Sequence, residues 1–190
     1  MAVLTPPSGA RLAAPREGAG FLRDAVLASY SQILFTRSRV VGILILAATF
    51  TAPVTGAFGL GAILLSVVVS RAFAFPDASI RAGIFGYNAM LVGLGIGALL
   101  QPSIPVVLLA AAAVVLAVVA TATLASALGA SFNLPSLSLP FLLVFYLVLS
   151  FAQQVAGVES VAAVWDPVAA GEALPHVVAS YLRALGAIFF

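Results

Sequence analysis

The polar side chains set into the apolar stretches of this 190-residue chain are mostly amides and hydroxyls. Gln32 lies near the end of the segment Phe21 to Phe35, and Asn88 lies inside a glycine-rich stretch from Gly83 to Gly97. Ser136 and Ser138 alternate with leucines between Pro135 and Pro140, just ahead of Phe141. Amides and hydroxyls donate and accept hydrogen bonds without carrying charge. They can therefore replace the water around a neutral polar solute, or tie one helix to another. At Asn88 both roles are open, because a buried amide is costly unless it finds partners.

Catalytic and metal chemistry finds no footing. There is no carboxylate pair and no serine with a histidine base within an apolar stretch. The single histidine, His176, sits beside Pro175 in an acidic segment and reads as an exposed loop residue. Without cysteine there is no disulfide, zinc–thiolate site or iron–sulfur cluster. The expectation is a protein that is not an enzyme and uses neither metal nor cofactor.

The elements that position these groups follow from composition. Hydrophobic residues make up 63% of the chain and charged residues only 7%, against about 25% charged in a soluble domain. A water-soluble globule so composed would expose large apolar patches and aggregate. Soluble enzymes, disordered regions and nucleic-acid binders are excluded, and the net charge of +2 gives no reason to expect a polyanion partner. The lipid bilayer is the partner that this composition demands.

Uncharged runs give the span count. From Ala82 to Val158 no Asp, Glu, Lys, Arg or His occurs. A membrane-crossing helix needs about 20 residues, so this run holds three crossings, with breaks expected at Gln101–Pro105 and at Gly129–Pro135. A second uncharged run from Val40 to Ser70 is split by Pro53 and Gly56. It predicts a short helix near Val40–Ala52 and another near Ala57–Phe73. Pro135 suits a first helical turn, whereas Pro140, further in, frees the carbonyl about four residues back. Unpaired backbone groups at membrane depth survive only when buried in protein or lining a polar path; a kinked structural helix is the plainer reading.

Arginine placement gives an orientation. Arg11, Arg16, Arg23, Arg37 and Arg39 precede the first apolar run, and Arg71 and Arg81 flank the loop at Phe75–Asp77. The stretch from Gly157 to Ser180 holds Glu159, Asp166 and Glu172 but no arginine. The positive-inside rule then puts the N-terminus and the Arg71/Arg81 loop in the cytoplasm and residues 157–180 outside. Opposite sides require an odd number of crossings, and five satisfy every loop. Residues 1–20, rich in Pro, Gly and Ala, read as a flexible cytoplasmic tail rather than a cleaved signal peptide.

Phe21–Phe35 does not behave like a plain span. Fifteen residues make a helix of about 22 Å, short of a hydrocarbon core of about 30 Å. Composition favours an amphipathic anchor lying in the interface. Partial entry into the membrane, with Gln32 aimed inward, is the alternative.

Three motifs, taken together, resemble the urea transporter family. Leu134-Pro-Ser-Leu-Ser-Leu-Pro-Phe141 is similar to that family's Leu-Pro-x-x-Thr-x-Pro-Phe, and Gly86-Tyr-Asn-Ala-Met-Leu-Val-Gly93 to its Gly-Tyr-Asn-x-x-Leu-Val-Gly. Ser31-Gln-Ile-Leu-Phe35 resembles its early Gln-x-x-Phe motif. The resemblance implies an all-α integral membrane protein of the bacterial type, forming one inverted-repeat half: a re-entrant half-helix at 21–35, then five transmembrane helices over about 38–156. It reverses the preference for an interfacial anchor at Phe21–Phe35. It also implies passive, channel-like passage of urea, or of a similar small neutral solute such as an amide or ammonia, between aromatic walls and beside a row of oxygen acceptors. Carried over by position, Gln32 would be a polar pore residue, Phe35, Tyr87 and Leu91 would be slot walls, and Ser138 would stand where the family usually has Thr. Asn88, Pro135, Pro140 and Phe141 would be motif residues that shape the site. A non-conducting membrane scaffold, with the polar residues only tying helices, is the reading from a different class.

The connecting segment is expected at 157–180 and the start of a second repeat at 181–190, where Ile188-Phe-Phe190 lines up with Ile33-Leu-Phe35 and Ala187 with Gln32. An ending at Phe190 in mid-helix suggests a truncated polypeptide with its second half missing. The resemblance also implies a homotrimer. Basic residues that are all arginine, in an alanine-rich chain, point to a bacterial inner membrane.

Overall fold

A computed structural model of the chain describes residues 18–152 and 154–160. The expected tail at 1–20 lies almost wholly outside the described residues, as do His176, most of the 157–180 segment and the start of a second repeat at 181–190. The described chain is all-helical: α1 (Ala19–Ser31) runs into a 3-10 turn (Gln32–Leu34), then α2 (Arg39–Thr49), α3 (Pro53–Ala72), α4 (Asp77–Arg81), α5 (Ile84–Leu99), α6 (Ile104–Phe132) and α7 (Leu139–Ala152).

Local chemistry sets the helix ends. Ser38 and Ser103 cap α2 and α6, their hydroxyls accepting from the backbone N–H groups of Val41 (3.5 Å) and Val106 (3.4 Å). Pro53 and Pro105 stand in first turns, where a missing N–H costs nothing. Asn133 ends α6 in the left-handed region at φ 52°, a conformation that Asn tolerates better than most residues. Gly83 precedes α5 at φ 74°, and a Cβ there would lie 2.5 Å from the Ser29 backbone nitrogen. Only glycine fits that position.

The roles of the two prolines differ from the sequence expectation. Pro140 occupies the first turn of α7, while Pro135 lies ahead of it in the non-helical stretch 133–138. No interior helix carbonyl is freed by Pro140, because the Ser136 and Ser138 carbonyls accept from Leu139 (3.0 Å) and Leu142 (3.1 Å). The feature is a break between two helices rather than a proline kink within one.

The interfacial-anchor reading of Phe21–Phe35 also fails on packing. α1 touches α2, α3, α4 and α5, and Tyr30, Ser29 and Ser31 are buried. The two serines satisfy themselves by donating to the Ala25 (2.8 Å) and Ala28 (3.0 Å) carbonyls. The two serines that interrupt the apolar pattern therefore face protein, where an interfacial helix would show them to water, while Arg23 stays exposed.

α5 lies at the centre of the bundle, against α1, α3, α4, α6 and α7. Its small residues permit close approach to α3: Gly97 lies over Thr55 and Phe58, and Gly93 over Phe58 and Ala62. The Thr55 hydroxyl donates to the Gly97 carbonyl at 3.2 Å. The main core joins Val92, Ile96 and Leu100 of α5 and its end to Val106, Ala113 and Ala117 of α6 and Val144 and Val148 of α7.

Among the described residues, α3 and α6 are long and apolar enough to cross a membrane; α1 and α2 pass that test only as a pair, bent by 85°. The described residues are thus all-helical, as a membrane protein can be, with two candidate spans among them, or three if the bent pair is one. Helix length alone does not reach the five crossings expected from hydropathy. α5 and α7, of 16 and 14 residues, measure about 24 and 21 Å at 1.5 Å per residue.

Charge is segregated along the bundle. The Phe21 ring sits under two guanidinium groups, Arg71 at 4.2 Å and Arg81 at 4.8 Å. Asp24 pairs with Arg23 and Arg39, each at 3.3 Å. At the far end of α3 and α5, the Gln101 N–H donates to the Glu159 carbonyl (2.8 Å) and the Ser103 hydroxyl to the Gly157 carbonyl (3.0 Å).

Candidate functional site

Three segments far apart in sequence close around one cleft of about 490 Å³, within the range of small-molecule sites. The end of α1 supplies Gln32, Phe35 and Thr36; the start of α5 supplies Ile84, Tyr87 and Asn88; the break before α7 supplies Pro135, Ser136 and Leu137. Thr121 and Ala125 of α6, with Arg37 just before α2, complete the wall.

Gln32 is half-buried, and its side-chain N–H donates to the Ala82 carbonyl in the turn before α5. That bond uses the amide nitrogen and fixes which way the amide points. The amide oxygen remains as an acceptor.

Phe35 caps the 3-10 turn in the left-handed region at φ 50°, its N–H donating to the Gln32 carbonyl at 2.9 Å. The residue is 76% exposed. A left-handed residue that is not glycine costs about 1–2 kcal/mol, and few side-chain contacts offset that cost here. Leu137, on the opposite wall, is likewise left-handed at φ 43°. Strained residues of this kind concentrate at ligand clamps and switch regions.

Asn88 is 2% exposed and makes two hydrogen bonds across to the α7 break. Its amide nitrogen donates to the Leu137 carbonyl at 3.2 Å, and its amide oxygen accepts from the Phe141 N–H at 3.3 Å. Tie and cleft lining, open alternatives in the sequence, coincide in this residue. By holding both ends of Leu137–Phe141, Asn88 fixes Leu137 and Ser136 in the wall.

The expected site residues divide. Gln32, Phe35 and Tyr87 meet at the cleft, joined by Asn88 and Pro135. Leu91, one turn further along α5, is partly buried against the cluster of Val26, Tyr30, Ile63 and Met90, and it is not in the wall. Ser138 is half-buried at the start of α7 and also stands outside the lining, which Ser136 reaches instead. Phe141 stacks on Phe145 with ring centroids 5.3 Å apart and backs the break rather than facing the cleft. Pro140 is buried.

Sequence reasoning missed Thr121 and Thr36 as wall residues, while Ser136 was one of the two hydroxyls it offered to a solute. Thr121 is buried, its hydroxyl donating to the Ala117 carbonyl at 2.7 Å. A threonine in the Ala/Val run of α6 was a usable signal. No group of acidic or histidine side chains able to hold a metal occurs among the described residues.

The arrangement suits non-covalent exchange of hydrogen bonds. The Phe35 and Tyr87 rings, the Gln32 amide, the Thr36 and Ser136 hydroxyls and the Arg37 guanidinium meet around one cleft. Residues 23–190 match the family model described as urea transporter. No curated protein sequence matches the chain.

Proposed function

The chain belongs to the urea transporter family, and from that premise we propose that the cleft between α1, α5 and the α7 break is its solute path. The reading is supported above all by one observation: Gln32, Phe35 and Tyr87, from segments some fifty residues apart, line a single cleft. Urea is flat and neutral, with four N–H donors and one carbonyl acceptor. Leaving water for hydrocarbon strips its hydrogen bonds at a cost of several kcal/mol. The Gln32 amide oxygen and the Thr36 and Ser136 hydroxyls offer replacements edge-on. Phe35 and Tyr87 accept the flat faces and exclude bulkier or hydrated species. Weak binding at each station permits release, as conduction requires.

In this reading α1 with its 3-10 turn is a re-entrant half-helix, and the five helices α2, α3, α5, α6 and α7 form one half of an inverted repeat. The 85° bend between α1 and α2 and the burial of α1 support the first part. The arginine cluster at one end and the Glu159 segment at the other support an N-terminus on the cytoplasmic side. A bacterial inner-membrane location and a trimer are the further implications of the resemblance.

The two serines test the site assignment. Ser136→Leu narrows the cleft and should cut urea flux into proteoliposomes by at least tenfold. Ser138→Leu, outside the wall, should leave it within about twofold. The opposite ranking would move the path to the α7 side of the break.

A further inference from the structure

A second cavity of about 280 Å³ adjoins the first, and the two share Gln32, Thr36 and Arg37. Its wall carries Arg37, Arg39 and Arg81 against a single carboxylate, Asp24. That carboxylate already serves Arg23 and Arg39. Arg37 and Arg81 have no carboxylate at salt-bridge distance among the described residues. Arg81 also shares the Phe21 ring with Arg71, which brings one more positive charge to the same end. Like charges gathered at one end repel one another; Arg81 is held by its contact with the Phe21 ring and Arg39 by Asp24, while Arg37 is exposed at the mouth.

We propose that this second cavity is an electropositive vestibule to the cleft, and that Arg37 and Arg81 determine specificity by rejecting flat cations. The proposal rests on the solute-path reading. Guanidinium is the revealing competitor: it has the planar shape and edge N–H donors of urea, so an aromatic slot accepts its faces. Shape does not separate the two molecules; charge does. Three arginines against one carboxylate leave an excess of positive charge beside low-dielectric walls, and the resulting positive potential disfavours guanidinium and leaves urea untouched. The effect weakens as salt shortens the screening length from about 10 Å at 0.1 M to about 3 Å at 1 M.

The vestibule potential can be read without any flux. The chain has no cysteine, so Thr36→Cys introduces a single thiol at the junction of the two cavities. Its reaction rates with an anionic and a cationic methanethiosulfonate reagent, divided by the same ratio for a free thiol, report the local potential. The ratio should favour the anionic reagent about tenfold at low salt. It should fall toward one with added Arg37→Gln and Arg81→Gln, and part-way with Arg37→Gln alone, which spares the Phe21 contact. A ratio near one in the parent, or one indifferent to both substitutions, would overturn the vestibule. In proteoliposomes, guanidinium should inhibit urea flux more strongly at high than at low salt, and the double substitution should raise its potency at low salt about three- to tenfold. Equal potency with and without Arg37 and Arg81 would overturn the specificity role. Absence of urea flux in the parent would count against the solute path and leave the thiol ratio to decide the vestibule.

Discussion

At the residue scale, the cleft depends on side chains that are expensive to misplace. Asn88 meets one donor and one acceptor across the α7 break. Asn88→Leu keeps the branched outline of the side chain and leaves the Leu137 carbonyl and the Phe141 N–H without partners. A buried group left unpaired costs about 1–3 kcal/mol, so the variant should lose about 2–4 kcal/mol. Thermal unfolding in detergent would register the fall, and an unchanged midpoint would refute the clamp. Phe35 presents the reverse case, an exposed ring on a left-handed backbone. Phe35→Gly removes the steric penalty of about 1–2 kcal/mol and little packing. It should hold or slightly raise the unfolding midpoint while reducing urea flux severalfold, the separation expected where strain serves a site rather than stability.

At the element scale, close packing of α3 on α5 holds Tyr87 and Asn88 in place. A Cβ at Gly93 would meet the Phe58 carbonyl oxygen at 2.5 Å and the Ala62 Cβ at 2.6 Å, whereas at Gly61 it meets open space. Gly93→Ala should therefore destabilise by about 1–3 kcal/mol. Gly61→Ala should be neutral or stabilise by up to about 1 kcal/mol through helix propensity. Equal midpoints for the two would mean that α3 and α5 separate more readily than their packing implies. The helices were largely legible in the sequence, because proline, serine and glycine punctuate long apolar runs: Pro53 opens α3, and Ser103 with Pro105 opens α6. The fate of α1 was not. Its Ser29 and Ser31 look like a polar face until their back-bonding to Ala25 and Ala28 is known. The left-handed turns at Phe35 and Leu137 carry no residue signal, since neither position is glycine or asparagine. The wall of the α7 break therefore falls on Ser136, although the motif alignment pointed to Ser138.

At the scale of the whole molecule, the proposed path is one for a neutral solute. Ion coupling and proton relay depend on ionisable groups within the membrane, and none interrupts the sequence from Ala82 to Val158. Movement of a neutral solute down its gradient needs only a row of hydrogen-bond partners between apolar walls. Gln32 is one of the residues, with Thr36 and Arg37, that the two cavities share. Its bond to Ala82 joins the end of α1 to the turn before α5. The most direct measurement is urea efflux by stopped-flow light scattering from proteoliposomes carrying the chain, beside Gln32→Leu and empty vesicles. The account predicts rapid flux in the parent and near-background flux in the variant, with helical content by circular dichroism equal in both. Flux at the empty-vesicle level from a folded parent, or equal flux in a folded variant, would contradict it.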